Sequence, residues 1–183
     1  ENFRDLGIII ESDLGAKMQV NKITAKASRQ LNVIQRLFRV RDPKFRIRMY
    51  KTYVRPILES GSILWNPSQV GLVKLIETVQ RRFLRYLPNR TKKKPNYIEL
   101  CEMHNLEPLL VRRTKTDLIT MYKLFHNHFL HVNVNDFVTL TESGTRGHNF
   151  KIHRPHLTST QRSQLLVYRS NQIKFKLFIR RTQ

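Results

Sequence analysis

The chain has 183 residues, of which 34 are lysine or arginine and 13 are aspartate or glutamate, for a formal net charge of +21. Apolar residues make up 40% of the sequence, which is enough for a modest core and excludes a chain that is disordered throughout. The single cysteine, Cys101, excludes an intramolecular disulfide and favours an intracellular location, cytoplasmic or nuclear. No apolar run approaches the length of a membrane span, so we expect no membrane partner.

The positive charge is concentrated in the middle of the chain. Residues 43–95 carry 13 basic and 2 acidic side chains, whereas residues 1–42 carry 8 and 5, and residues 96–183 carry 13 and 6. A compact fold with this excess repels itself, and a polyanionic partner removes the repulsion. The charge therefore favours nucleic acid as the partner over a basic surface that is merely solvated. RNA, DNA and an RNA–DNA hybrid remain open.

Residues 3–10 are predicted to form one short β-strand, because three consecutive isoleucines favour extended backbone. The sequence offers no obvious hairpin partner for this strand, and an unpaired apolar strand exposes its edge. The first residue is Glu1 rather than methionine. Both observations suggest that an upstream segment belongs with this chain.

A strong amphipathic helix is predicted next. Its apolar residues recur every three or four positions and form one stripe: Val20, Ile23, Ala27, Leu31, Ile34 and Phe38. Basic residues recur with the same period on a different face: Lys22, Lys26, Arg29 and Arg36. Asp42 before Pro43 then predicts an N-cap with proline at the first helical position.

The second helix has the same two-sided pattern. The residues expected to face inward are Phe45, Met49, Tyr50, Tyr53, Val54, Ile57 and Leu58. The other face carries a second basic stripe, Lys44, Arg48, Lys51 and Arg55. Pro56 removes a backbone donor, so the helix is expected either to kink there or to split into two.

A third helix is predicted over residues 68–87, with a core stripe of Leu72, Ile76, Val79, Phe83 and Leu87. Pro88 ends it, and a basic loop with Lys92, Lys93 and Lys94 runs to Pro95. A short helix over 97–104 and a longer one over 107–131 follow. The longer helix is expected to carry Leu110, Leu118, Met121, Phe125 and Phe129.

Periodicity fades after residue 131, and the expected organisation has three parts. Residues 1–13 form a strand and turn, residues 14–131 a helical domain, and residues 132–183 a basic tail with less order. The predicted fold class is mainly α: a small helical bundle with one short N-terminal strand and an irregular C-terminal tail.

The sequence favours no catalytic residue, metal ion or cofactor. Two-metal polymerase chemistry needs clustered carboxylates, but the aspartates are far apart: Asp5, Asp13, Asp42, Asp117 and Asp136. No glycine-rich phosphate loop occurs. His126, His128 and His131 at the end of the fifth predicted helix, with Cys101 and His104 upstream, lack the paired spacing of a structural zinc site. A nuclease that uses Cys101, His104, His126, His128 and His131 is the enzymatic alternative.

Several segments resemble, in the expected order, the region downstream of the polymerase palm in non-LTR (LINE-type) retrotransposon reverse transcriptases. The segment that carries most of the resemblance is Tyr53-Val54-Arg55-Pro56-Ile57-Leu58-Glu59-Ser60-Gly61, followed by Trp65-Asn66-Pro67. Shorter matches are Leu6-Gly7-Ile8, Lys26-Ala27, Ile76-Glu77 with Val79-Gln80-Arg81-Arg82-Phe83, Arg112-Arg113 with Asp117-Leu118, and Thr145-Arg146-Gly147-His148.

The resemblance implies the thumb and connector of such an RNA-directed DNA polymerase, a helical bundle that grips the template–primer duplex. It also implies that the N-terminal strand joins the palm of the parent enzyme, so the palm and fingers are expected partners. The catalytic carboxylates of the palm have no counterpart here, so this fragment is not expected to be an enzyme. An inert remnant of a decayed element, dependent on the missing palm, is the alternative.

Phosphate contacts are predicted at the basic stripes and in the loop after the third helix. The residues are Lys22, Lys26, Arg29, Arg36, Lys44, Arg48, Lys51, Arg55, Arg81, Arg85, Lys92, Lys93 and Lys94. Trp65 could stack on a base, but a single tryptophan between apolar residues is more typical of a core. For Cys101, a buried structural position is the better interpretation.

Overall fold

The computed structural model describes residues 2–13, 15–38, 42–88 and 95–126. Within these residues the chain is mainly α-helical, as predicted. The elements are β1 (Phe3–Asp5), β2 (Ile8–Ile10), α1 (Lys17–Leu37), α2 (Pro43–Met49), a π-helix (Tyr50–Val54), α3 (Arg55–Glu59), α4 (Ser62–Trp65), α5 (Val70–Tyr86), α6 (Tyr97–Met103) and α7 (Leu109–Phe125).

The chain divides into two compact units, Glu1–Arg113 and Thr114–Gln183. The first unit contains every element up to α6 and the start of α7. Of the second unit, the described part is residues 114–126, where Tyr122 and His126 rings lie 4.2 Å apart. The predicted domain boundary after residue 131 and the predicted tail, 132–183, lie outside the described residues.

The prediction that residues 3–10 lack a hairpin partner was wrong, because the segment pairs with itself. β1 and β2 are antiparallel, with Arg4 opposite Ile9 and a two-residue turn between them. Both turn residues have positive φ, 44° at Leu6 and 85° at Gly7, which is the geometry that matches the twist of paired strands. Leucine is unusual in this conformation, so the turn gave no recognisable signal.

The predicted core stripe of α1 is confirmed. Val20, Ala27 and Leu31 are buried against the other helices, with Ile23 and Ile34 beside them. Phe38 packs on the edge of this core and meets the Phe45 ring edge-on, with centroids 5.7 Å apart. The Asp42 cap is also confirmed, because its side chain accepts hydrogen bonds from the amides of Lys44 and Phe45.

The second predicted helix, expected to kink or split at Pro56, continues past this residue without splitting. Instead, a π-helix links α2 to α3, and the amide of Arg55 donates to the carbonyl of Tyr50, five residues earlier. Pro56 then lies in the first turn of α3, where its missing amide is tolerated. Tyr50, Val54 and Leu58 are buried as predicted, but Tyr53 is 49% exposed.

Gly61 starts α4, a turn of helix that the sequence did not predict. Its φ of +64° favours glycine, and a Cβ there would lie 2.5 Å from the Cδ1 of Ile8. Trp65 ends α4 and is buried, as predicted, with its Nε1 donating to the carbonyl of Ser60.

The remaining helices complete the core of the first unit. The α5 stripe is confirmed: Ile76, Val79, Phe83 and Leu87 are buried, and Leu72 packs at the edge. Asn96 and Glu99 form a capping box at the start of α6. On α7, Leu110 belongs to the first unit and is exposed. Met121 and Phe125 belong to the second unit and are buried, as predicted, and Phe129 lies outside the described residues.

Candidate nucleic-acid interface

Helices α1 and α5 lie side by side and run in the same direction. The guanidinium of Arg82 on α5 donates to the carbonyl of Ser28, 3.1 Å away, and to Oδ1 of Asn32, 2.9 Å away. Further along, Ile34 of α1 and Tyr86 of α5 line one cavity. The contacting residue numbers rise along α1 and α5 in the same order, so the two helices are parallel.

A groove of about 280 Å³ follows the seam between these helices. Its walls are short polar and apolar side chains: Asn21, Thr24, Ala25 and Ser28 from α1, and Leu75, Thr78, Val79 and Arg82 from α5. Arg82 crosses the groove through Nη2, which makes both bonds to α1. Arg82 nevertheless remains an exposed residue.

Four exposed cations border the groove: Arg29 and Arg36 on α1, and Lys74 and Arg85 on α5. We call these four residues the rim quartet. With about 100° between successive residues, each lies roughly 60–90° round its helix from the groove. The Arg82 contacts align the two helices and spread the quartet over about 20 Å, the rise of about six base pairs.

No acidic side chain faces this groove from either helix. α1 contains none, and the one acidic residue of α5, Glu77, is buried on the opposite side. The rim quartet takes no part in the ion pairs found among the described residues. Within the described residues, the groove is therefore flanked by positive charge that no acidic side chain of α1 or α5 offsets.

The other predicted cations of α1 lie elsewhere. The Nζ of Lys22 donates to the carbonyl of Gly7 at 2.6 Å, which ties the hairpin to the helix. Lys26 is exposed, but the α-helical spacing places it about 140° round α1 from the groove. The four basic residues predicted to share one face of α1 are thus divided, and only Arg29 and Arg36 border the groove.

The basic stripe predicted on the second helix is divided by the π-helix. The extra residue in a π-turn rotates everything after it by about 100°, the angle of one residue in a 3.6-residue turn. Lys44 and Arg48 before the π-helix are exposed, whereas Lys51 and Arg55 within and after it are half-buried. Arg55 also lies 3.8 Å from Glu59, so it is paired within the fold.

The predicted cations near the end of α5 also differ from one another. Arg85 is exposed. Arg81 turns towards α6, with its guanidinium carbon 5.1 Å from the centre of the Tyr97 ring and its Nε buried without a partner. Lys92, Lys93 and Lys94 lie outside the described residues.

The inner side of α5 carries a buried chain of hydrogen bonds. The hydroxyl of Tyr50 donates to Oε1 of Gln80 at 2.9 Å, and Nε2 of Gln80 donates to the hydroxyl of Tyr97 at 3.0 Å and to the carbonyl of Glu107 at 2.9 Å. Tyr97 in turn donates to Glu77. The chain joins the π-helix, α5 and α6.

The carboxylate of Glu77 ends this chain and caps α7. It accepts hydrogen bonds from the amides of Leu109, at 3.2 Å, and Leu110, at 2.5 Å, which are the first two residues of that helix. A carboxylate at this position satisfies unpaired amides and complements the helix dipole. Burial raises the pKa of Tyr50, and burial followed by the Glu77 hydrogen bond raises the pKa of Tyr97.

Cys101 is buried next to Gln80 in this chain of hydrogen bonds, and His104 follows at the end of α6. Burial raises the pKa of the Cys101 thiol, which accords with its predicted structural position. Burial lowers the pKa of His104, whose Nε2 is buried without a partner. Across the described part of the chain, no three His, Cys, Asp or Glu residues could hold a metal ion. His128 and His131 lie outside that part.

The sequence interpretation missed two cations of the groove, Lys74 and Arg82. Lys74 has a simple signal, since it precedes Arg85 by eleven residues, or three helical turns, on the exposed side of α5. Arg82 has none, because its place is set by a partner helix fifty residues away in sequence. Its neighbour Arg81, which was predicted, points away from the groove towards Tyr97.

Comparisons with known proteins give one distant relative. An uncharacterized protein of Caenorhabditis elegans is 26% identical over 86 residues, which cover 47% of this chain and 43% of that protein. The matched stretch therefore spans less than half of the relative's length. No model of a protein family and no solved structure matches the chain. Among the described helices, none has the length and apolar character needed to cross a membrane.

Proposed function

We propose that this chain is a non-catalytic, sequence-independent nucleic-acid-binding module that holds a duplex along the α1–α5 groove. The observation that carries the proposal is the strip of positive charge formed by the rim quartet and Arg82, which no acidic side chain of either helix interrupts. Its length of about 20 Å suits several successive phosphates of one strand. Lysine and arginine contacts to phosphates position a duplex without reading its sequence.

The wider proposal is that the module is the thumb and connector of a LINE-type reverse transcriptase. The mainly helical fold and the order of the resembling segments support it. The palm of the parent enzyme would then cover β1, whose hairpin exposes Phe3 and Leu6 to solvent. The duplex would be the template–primer, whether RNA, DNA or a hybrid of the two.

The predicted phosphate contacts differ in whether they border the groove. Arg29, Arg36 and Arg85 border the groove and stay in the proposed set, with Lys74 and Arg82 added. Lys44 and Arg48 are exposed and could reach a duplex that extends past the groove. Lys22, Arg55 and Arg81 have contacts within the fold and do not border the groove, so we assign them to its stability.

The test is a salt series of binding to a labelled duplex, measured by fluorescence anisotropy. Five phosphate contacts predict a slope of log K against log salt of about −4.5. Replacing the rim quartet with glutamine should flatten the slope by about 3 to 4, because four contacts are lost. The helix is retained, since glutamine is a good helix former.

A matched control removes the same charge from the second helix, with Lys44, Arg48, Lys51 and Arg55 replaced by glutamine. It should flatten the slope by about half as much or less, since two of its four cations are half-buried. Equal flattening in both variants would mean that binding follows net charge and not the groove. A wild-type slope shallower than about −2 would favour an inert remnant.

A further inference from the structure

The C-terminal end of the groove carries an aromatic ring next to its cations. Tyr86 is the last residue of α5, and its side chain is 39% exposed. The guanidinium of Arg46, on α2, lies over this ring with its central carbon 4.5 Å from the ring centre. Nη1 of Arg46 also donates to the Tyr86 carbonyl at 3.5 Å, so the two planar groups are held together.

Three helices meet at this end of the groove. α1 and α5 run parallel, so their C-terminal turns lie together, and the Phe38–Phe45 contact brings the start of α2 to the same place. The exposed cations of these turns are Arg36 and Arg85. The Arg46–Tyr86 pair therefore lies where a strand that follows the rim quartet would leave the groove.

The apolar seam beneath the pair is closed. The space between Phe38, Phe45, Met49 and Tyr86 amounts to about 10 Å³, which is at most the room of one water molecule. A ligand cannot enter this seam. It can only stack on the part of the Tyr86 ring that is exposed.

We propose that the Arg46–Tyr86 pair is a stacking platform for one unpaired base, so that the preferred ligand is a duplex with a single-stranded extension. Bases that cannot pair stack on aromatic rings and on arginine guanidinium planes, and cations beside the ring hold the phosphate of the same nucleotide. This inference rests on the proposed function. It adds a contact that depends on a base, whereas the groove depends on phosphates alone.

The experiment compares a flush DNA duplex with the same duplex carrying a three-nucleotide extension. Stacking of one base predicts about tenfold tighter binding of the extended duplex by the wild-type chain. Tyr86→Leu should abolish that advantage and leave the flush-duplex affinity and the salt slope unchanged, because no charge is removed. Tyr86→Phe should keep the advantage, because the ring remains.

Tyr53→Leu is the matched control, since Tyr53 is also a half-exposed tyrosine but has no guanidinium over its ring among the described residues. It should keep the tenfold advantage. Equal binding of both duplexes by the wild type, or an advantage that survives Tyr86→Leu, overturns the platform while the groove stands. Absence of salt-dependent binding to either duplex overturns the groove and the platform together.

A second measurement needs no variant and covers the case in which Tyr86→Leu does not fold. 5-Bromouracil at the first unpaired position is photo-cross-linked to the wild-type chain, and the tryptic peptides are analysed by mass spectrometry. The platform predicts that the labelled peptide begins at Tyr86, since trypsin cleaves after Arg85. Cross-links elsewhere, with none on Tyr86, contradict it.

Discussion

The two sides of α5 carry polar residues with opposite surroundings. On the inner side, Glu77 and Gln80 are buried and meet a set of donors and acceptors from four other segments. On the outer side, Lys74 and Arg85 are exposed and form no ion pair within the described part of the chain. One helix thus holds the bundle together with one side and presents charge with the other.

Stability and binding are therefore expected to depend on different sides of α5. Buried polar groups are costly when they lose a partner, so changes on the inner side should lower the free energy of unfolding. Exposed cations contribute little to folding, so changes on the outer side should alter binding alone. If substitutions on one side change both the free energy of unfolding and the affinity for nucleic acid, the two sides do not have separate roles.

The largest expected effect is on the inner side. Glu77→Leu removes the acceptor for the Tyr97 hydroxyl and for two amides of α7, and should lower the free energy of unfolding by about 3 kcal/mol or more. Urea denaturation measures it. Thr78→Ala, one residue along but on the groove side, should change stability by about 0.5 kcal/mol or less. Similar losses in both variants would contradict the division.

Substitution of Arg82 should have the opposite result, a small change in stability together with a measurable change in duplex binding. Arg82→Gln loses two exposed hydrogen bonds to α1 and should change the free energy of unfolding by less than about 1 kcal/mol. The salt slope of duplex binding should flatten by about 1, because one phosphate contact is lost. An unchanged slope with a large loss of stability would place Arg82 among the structural residues instead.

The smallest expected effect is a pH dependence of the free energy of unfolding, which arises from the partly buried His104. Burial lowers the pKa of His104 in the folded chain, so the unfolded chain binds a proton more readily. Stability should therefore be full above about pH 6.5, the ordinary value, and fall as the pH drops towards the folded pKa. His104→Gln should remove this part of the pH dependence of urea denaturation; an unchanged profile would mean that His104 is solvated.

The sequence was sufficient for the parts of the fold that depend on an uninterrupted period. α1 and α5 are regular helices, so the three-and-four spacing of Val20 to Ile34 and of Ile76 to Leu87 identified their buried stripes. The same reasoning failed at Tyr53. The π-helix shifts the register there, and residues predicted to face inward no longer share one side.

The hairpin and the buried chain of hydrogen bonds lacked a local signal. A type of turn that usually needs asparagine and glycine is formed here by Leu6 and Gly7, so residues 3–10 resembled one strand. Glu77 and Gln80 have the spacing of core positions but the chemistry of surface ones. Their burial is stabilised by Tyr50, Tyr97 and the start of α7, which are distant in sequence.

The candidate site was predictable in its chemistry but not in its shape. Composition and spacing identified the basic helix faces, and Arg29, Arg36 and Arg85 were among the predicted contacts. The groove itself depends on the parallel pairing of α1 and α5, which no pattern within either helix specifies. That pairing adds Arg82 to the site and leaves Lys26 on the other side of α1.

Photo-cross-linking from defined positions shows whether a duplex lies along the α1–α5 groove. A photoreactive phenylalanine derivative replaces Thr78, which lines the groove, or Ile98, which is exposed on α6. Each chain is then irradiated with a labelled duplex. We expect several-fold more cross-linked duplex from position 78 than from position 98, with both yields falling as salt rises. Equal yields, or a higher yield from position 98, would contradict the account.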